Sequence, residues 1–120
     1  MAADRRLETS DVGEVTVVRF VDRRLVDMDQ IQQVGQELNQ LVETKGDPKL
    51  LLNFADVDFL SSAALGKLIT LDKKLKQSGG QLVLCDIRPE IQEVFAITRL
   101  DRLFDIVDDE DEALAAFSGP

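Results

Sequence analysis

Two patterns of apolar residues alternate along this chain, one typical of strands and one typical of amphipathic helices. Residues 15–20 (VTVVRF) are rich in β-branched side chains, and residues 50–54 and 81–87 are almost continuous apolar runs, so we predict strands there. Over residues 28–43 and 61–77 the apolar side chains recur at helical spacing, which predicts two amphipathic helices packed on those strands.

Local signals mark where the helices begin and end. Asp27 or Asp29 can cap the first helix, because a carboxylate accepts hydrogen bonds from the unpaired N–H groups of the first turn. The pair Gly79-Gly80 ends the second helix. Pro89 suits the first turn of a third helix that runs to about residue 97.

The remaining segments complete a regular order. Residues 104–107 predict a short strand, and the acidic run 108–112 favours the start of a fourth helix, since acidic side chains interact well with that end of the helix dipole. Strands separated by helices pair in parallel, and residues 7–12 can add an antiparallel edge strand. We therefore predict an α/β fold with a mixed, mostly parallel sheet of four to five strands and about four helices. The predicted division is an N-terminal arm or edge strand (1–11), one domain (12–117) and a tail (118–120).

Two residues occupy predicted core positions without being ordinary core residues. Cys85 lies in a buried strand, and we interpret it as a small core residue rather than a redox group. Asp72 falls inside the apolar stripe of the second helix, and nothing in the sequence accounts for it.

Composition narrows the function. The chain has 120 residues with 14 basic and 23 acidic side chains, a formal charge of −9 that disfavours binding to nucleic acid or to an anionic membrane. It has no His and one Cys, which removes the commonest general base and any multi-cysteine metal site, so we expect neither an enzyme nor a metal or cofactor. No apolar run is long enough to span a bilayer and residues 1–11 lack the apolar core of a signal peptide, so we expect a cytoplasmic protein.

The most informative segment is residues 53–66, NFADVDFLSSAALG. A buried strand ends there, a loop carries Asp56 and Asp58, and Ser61-Ser62 open a helix. A phosphoserine at that point would be stabilised by the unpaired N–H groups and the positive end of the helix dipole. The simpler interpretation is that Ser61 only caps the helix.

This segment resembles the signature of STAS domains, specifically of stand-alone anti-sigma factor antagonists. That signature runs as Asn, an acidic loop and Phe-Met-Asp-Ser-Ser-Gly-Leu-Gly, and Asn53, Asp56 and residues 59–66 (FLSSAALG) stand in the same register. Asp27 stands where the family's Gly-Glu-Leu-Asp motif ends. The similarity extends over residues 12–117, through Gly79-Gly80, the LVLC strand, Pro89, Phe95, Leu103-Phe104 and the acidic start of the last helix.

The resemblance implies a protein-binding regulator. An antagonist of this type binds a serine-kinase anti-sigma factor, which resembles histidine-kinase ATPases, and so frees the sigma factor. The kinase then phosphorylates the antagonist and binding is lost, until a serine phosphatase restores it. By its position in the signature, Ser62 is the residue that is phosphorylated. A weak homodimer is a further possible assembly. The implied partner-binding residues are Asp27, Asn53, Asp56, Ser61, Ser62, Ala63 and Ala64.

This sequence departs from the family signature at the site itself. The acidic residue before the acceptor is replaced by Ser61, which becomes a rival acceptor, and the following Ser-Gly is Ala63-Ala64. The Gly of the upstream motif is Arg24. Two alternatives follow: a divergent STAS scaffold that binds without being phosphorylated, or a domain that senses a small ligand such as a nucleotide or lipid.

Overall fold

The computed structural model describes residues 6–45 and 48–117. Residues 1–5 of the predicted arm, residues 46–47 and the predicted tail 118–120 lie outside the described residues. The elements are β1 (Leu7–Val12), β2 (Val15–Phe20), β3 (Arg24–Leu25), α1 (Met28–Lys45), β4 (Lys49–Asn53), β5 (Phe59–Leu60), α2 (Ser62–Ser78), β6 (Gln81–Cys85), α3 (Pro89–Ile97), a 3₁₀ turn (Leu100–Arg102), β7 (Asp105–Ile106) and α4 (Glu110–Phe117).

Five strands form the central sheet in the order β1-β2-β4-β6-β7. β1 pairs antiparallel with β2, and the other three neighbouring pairs are parallel. The predicted mixed, mostly parallel sheet is therefore confirmed, with residues 7–12 as its antiparallel edge. β4 lies in the middle of the sheet and is paired on both sides.

The strand residues alternate between two separate cores. Leu50 and Leu52 of β4 face the larger core, which α1, α2 and α3 cover, while Leu51 faces a smaller core covered by Ala113 and Phe117 of α4. This arrangement explains the uninterrupted apolar runs in the sequence, since both faces of the inner strands are removed from water.

The helix ends use the residues that their chemistry favours. The Asp27 carboxylate accepts a hydrogen bond of 3.0 Å from the Asp29 N–H, so Asp27 rather than Asp29 caps α1. Pro89 is the first residue of α3, as predicted. Gly79 ends α2 with a left-handed φ of 84°, which costs glycine no steric clash. In the described part of the chain, no helix has both the length and the apolar composition to cross a membrane.

The two unusual core residues now have explanations. Asp72 is buried, and the Lys76 ammonium lies 2.9 Å from its carboxylate one turn further along α2. An adjacent cation offsets the cost of removing this carboxylate from water. Cys85 is fully buried, and burial raises the pKa of its thiol, so it remains protonated and unreactive at neutral pH.

One feature of the fold was missed from the sequence. β3 and β5 form a separate, parallel two-stranded ladder, in which Arg24 pairs with Phe59 and Leu25 with Leu60. Two-residue strands are too short to produce a recognisable alternation in the sequence. This ladder determines what lies beside the start of α2.

Candidate functional site

The β3–β5 ladder joins the segment before α1 to the signature loop, by which we mean residues 54–61. The Arg23 carbonyl accepts a hydrogen bond of 2.7 Å from the Asp58 N–H, and the Leu25 carbonyl accepts one of 3.0 Å from the Ser61 N–H. Leu25 and Leu60 point into the core. The backbone that leads to Asp27 is therefore held alongside the backbone that leads to Ser62.

Asn53 fixes the beginning of the signature loop. The residue is only 5% exposed, and both its side-chain nitrogen and its side-chain oxygen form hydrogen bonds within the domain. Its Nδ2 donates to Asp86 Oδ2 at 3.1 Å and to Glu110 Oε1 at 2.8 Å, and its Oδ1 accepts from the Ala55 N–H at 2.8 Å. Glu110 is held in turn by Arg19 at 2.7 Å. One amide thus connects the end of β4, the loop after β6, the start of α4 and the signature loop.

Asp58 braces the middle of the signature loop. Its carboxylate lies 3.1 Å from Arg23 Nε and 3.2 Å from Arg88 Nε. The hydrogen bond from Arg23, strengthened by the charges of Arg23 and Arg88, holds the pKa of the Asp58 carboxyl below its ordinary value. Arg88 also donates to the Ala55 carbonyl at 3.2 Å. The loop is therefore tied to both β3 and the start of α3.

The two serines at the start of α2 have different environments. Ser61 is the N-cap, and its Oγ accepts a hydrogen bond of 3.3 Å from the Ala64 N–H. Ser62 is the first residue of the helix and is exposed. Within residues 6–45 and 48–117, no partner is hydrogen-bonded to the Ser62 hydroxyl. The N–H groups at the beginning of a helix have no partner within it, so the surroundings of Ser62 favour a negative group.

The structure leaves some of the predicted site residues exposed and buries others. Asp27, Asp56 and Ser62 are exposed, and Ala63 is half-buried. Asn53 and Ala64 are buried, so their side chains can affect a partner only by positioning the residues around them. Their predicted part in binding stays a prediction.

Several exposed apolar residues at this surface were not predicted. Val26 is 45% exposed, Met28 55% and Phe59 43%. The Arg24 guanidinium carbon lies 5.1 Å from the centre of the Phe59 ring. In residues 24–26 (RLV) and 59–61 (FLS) an apolar Leu lies between two residues that face outward. These segments are too short to be recognised as strands in the sequence, so the exposed positions follow only once the β3–β5 pairing is known.

Comparison with known proteins identifies the family. The model of the STAS domain family matches residues 7–113. The chain belongs to the STAS domain family. Among curated proteins it is 35% identical over 86 residues to BtrV of Bordetella bronchiseptica, which is named as a candidate anti-sigma factor antagonist; the match covers 72% of this chain and 73% of that protein.

Solved structures of this family share the fold. An anti-sigma factor antagonist STAS domain protein of Planctomyces limnophilus superposes with a TM-score of 0.83 at 22% identity, covering 94% of this chain and 98% of that one. The antagonist SpoIIAA in its unphosphorylated form gives a TM-score of 0.71 at 18% identity, covering 95% of this chain and 99% of that one. SpoIIAA of Bacillus in its phosphorylated form gives 0.70 at 20% identity, with coverage of 92% and 98%.

Two further properties of the described residues concern metal ions and small molecules. The described residues contain no group of three or more His, Cys, Asp or Glu side chains placed to hold a metal ion. The cavity beneath the ladder, lined by residues such as Leu25, Leu60 and Ala64, is apolar and has a volume of only about 10 Å³. That is room for about one water molecule, whereas small-molecule sites usually occupy about 300 Å³ or more.

The role of Asn53 can be tested by replacing its amide with a carboxylate of the same shape. Asn53→Asp would put acceptors in place of the two donors that face Asp86 and Glu110. We expect it to destabilise the fold by about 3 kcal/mol at pH 7, and by less at pH 4, where carboxyls begin to protonate. Urea unfolding at the two pH values measures this, with the exposed Gln32→Glu as control. Equal stability of Asn53→Asp and wild type at pH 7 would show that the amide is not the connecting element.

The brace at Asp58 makes a prediction about pH. Because the pKa of the Asp58 carboxyl is lower in the folded chain than in the unfolded chain, the ionised carboxyl stabilises the fold at pH values above the unfolded pKa. That contribution is lost as pH falls through the folded pKa, so the brace stays intact near neutral pH. An NMR titration of the Asp58 carboxyl should give a higher midpoint in Arg23→Gln than in wild type. Lys74→Gln, which removes a distant ion pair with Glu43, should leave the midpoint unchanged. Identical midpoints in Arg23→Gln and wild type would contradict the assigned cause.

Proposed function

We propose that this STAS domain is an anti-sigma factor antagonist that binds a serine-kinase anti-sigma factor of the histidine-kinase-like ATPase type. In this proposal, binding uses the surface around the start of α2, and phosphorylation of Ser62 ends it. A serine phosphatase restores the binding form. The observation that carries the proposal is the position of Ser62: exposed, first in its helix, with a hydroxyl that no described residue engages.

Ser62 is a better acceptor than its rival Ser61. The Ser61 oxygen is occupied as the cap of α2, and its side chain is half-buried. Its Oγ is therefore less accessible to a kinase than the Ser62 hydroxyl, which is exposed and makes no hydrogen bond within the described residues. Ser61 also explains why the family's Asp can be absent here, since a serine and an aspartate cap a helix in the same way.

A phosphate on Ser62 would act mainly on the partner. Within the chain, the start of α2 favours an added negative charge. At a close interface the same phosphate, which adds about −1.5 to −2 charges, would lose its water. It would also add to the charge of the exposed Asp27 carboxylate, whose segment the β3–β5 ladder holds alongside Ser61. Without a matching cation, that desolvation opposes binding.

The relatives favour this function over the alternatives. BtrV is named as a candidate antagonist, and SpoIIAA is described both unphosphorylated and phosphorylated. The small volume of the cavity beneath the ladder argues against a nucleotide or lipid bound at that point. A scaffold that binds without modification remains the competing form of the proposal, and it is separated by the phosphorylation experiment.

The first experiment identifies the partner and the modified residue. Affinity capture from a lysate of the source organism should recover a histidine-kinase-like ATPase. That ATPase, purified and supplied with ATP, should add one phosphate to wild type and to Ser61→Ala, and none to Ser62→Ala, as measured by intact mass. If the recovered ATPase binds but adds no phosphate to wild type, the unmodified scaffold is the correct form.

The second experiment measures the switch. We expect Ser62→Ala to bind the purified ATPase like wild type and Ser62→Asp to bind about 100-fold more weakly, because a loss of roughly 2.7 kcal/mol has that effect. The phosphorylated chain should bind more weakly still, since phosphoserine carries more charge than aspartate. Ser10→Asp, on the exposed part of β1, is the matched control. Equal affinity of all forms in calorimetry would mean that this surface is not the switch.

A further inference from the structure

We propose that Arg24, Val26 and Phe59, which we call the outer ladder, select the partner by binding a surface that presents an acidic side chain beside apolar residues. The inference rests on the proposed function, because it concerns the same partner. It adds a cationic and apolar element beside the exposed Asp27, which is acidic, and Ser62, which would become so on phosphorylation.

The outer ladder follows from the register of β3 and β5. Arg24 pairs with Phe59, and Leu25 with Leu60. Leu25 and Leu60 are buried, so the alternation of strand side chains turns Arg24 and Phe59 outward. The hydrogen bond from the Ser61 N–H to the Leu25 carbonyl continues the ladder by one step, which places Val26 beside Ser61. The outer ladder therefore ends beside Ser61, the residue directly before Ser62.

Arg24 differs from the other arginines of this region. Arg23 and Arg88 both pair with Asp58. No carboxylate in the described part of the chain forms a close ion pair with Arg24, although its charge helps to lower the pKa of the Asp58 carboxyl; the Arg24 guanidinium lies over the Phe59 ring at 5.1 Å. The stacked guanidinium is held in place while its N–H groups remain able to bind a carboxylate. In a chain with a net charge of −9, an unpaired cation at this surface points to an acidic group on the partner.

The exposed apolar residues would supply apolar area for the contact between Arg24 and the partner. Val26, Phe59 and the adjacent Met28 are each between 43% and 55% exposed. Exposed apolar residues close in the chain to a stacked arginine match the composition of the buried centre of many protein interfaces, where aromatic residues, Met and Arg are enriched. A partner with an apolar surface and one acidic side chain would match both features.

The test uses the ATPase recovered by the wild-type chain and compares substitutions of exposed residues only. Arg24→Glu should weaken binding about 30-fold, because it sets two like charges against each other. Arg24→Lys should weaken it by less, since charge is kept and the stacked planar group is lost. Phe59→Ala should weaken it too. Arg102→Glu, on the exposed 3₁₀ turn, makes the same charge change away from the site and should bind like wild type.

Salt dependence and self-association complete the test. The affinity of wild type should fall with added salt more steeply than that of Arg24→Glu, because an attractive charge pair is screened. Thermal unfolding of each variant should match wild type, which shows that the fold is retained. A homodimer of wild type that Arg24→Glu dissolves would overturn the inference, because the outer ladder would then bind a second copy of this chain.

Failure of the inference can be told apart from failure of the proposed function. If wild type binds the ATPase and phosphorylation of Ser62 releases it, but Arg24→Glu and Phe59→Ala bind like wild type, the outer ladder has no role in selection and the proposed function stands. If wild type binds no such ATPase, the proposed function fails, and the inference fails with it.

Discussion

The side-chain amide of Asn53 is the contact on which the geometry of the site depends. β4 is paired on both sides and covered on both faces, so its last residue occupies a fixed point in the domain. From that point Asn53 holds the start of α4 through Glu110, the loop after β6 through Asp86 and the signature loop through Ala55. A buried amide satisfied in this way specifies one arrangement, because any shift would leave a donor or acceptor unpaired.

The backbone of the signature loop is consequently held by contacts at several points, while side chains beside it stay exposed. Asp58 ties it to Arg23 and Arg88, and the β3–β5 ladder ties it to the segment before α1. The side chains left facing water include Ser62 and the outer ladder. A protein-binding surface benefits from this combination, since a preformed backbone reduces the entropy lost on binding. A phosphate added at the start of α2 would change the charge of this surface without requiring a change in the fold.

The long elements could be predicted from sequence because each carries its own periodicity. The runs 50–54 and 81–87 and the stripes of α1 and α2 report burial directly, and Asp27, Pro89 and Gly79 mark helix ends by local chemistry. The position of Ser62 at a helix start followed from the same reasoning.

The connecting contacts could not be predicted in this way. The sequence indicates only that Asn53 is a polar residue at the end of a strand. Its partners Asp86 and Glu110 are 33 and 57 residues away in the chain. β3 and β5 are two residues each, and their outward side chains are known only from their pairing. Asp72 needed the ion pair with Lys76 to be understood. The contacts of Asn53 and the β3–β5 pairing depend on which distant segments meet, and the local pattern does not encode that. Asp72–Lys76 is different, because it is an i,i+4 pair within α2 whose spacing is visible in the sequence.

Amide hydrogen exchange of the chain, alone and with the purified anti-sigma factor, tests most directly whether the start of α2 and the outer ladder form the binding surface. We predict slower exchange in the complex for residues 24–28 and 59–66, and no change in α3, where Val94 and Ile97 are also exposed. Slower exchange confined to α3 and β7, with residues 24–28 and 59–66 unchanged, would contradict it.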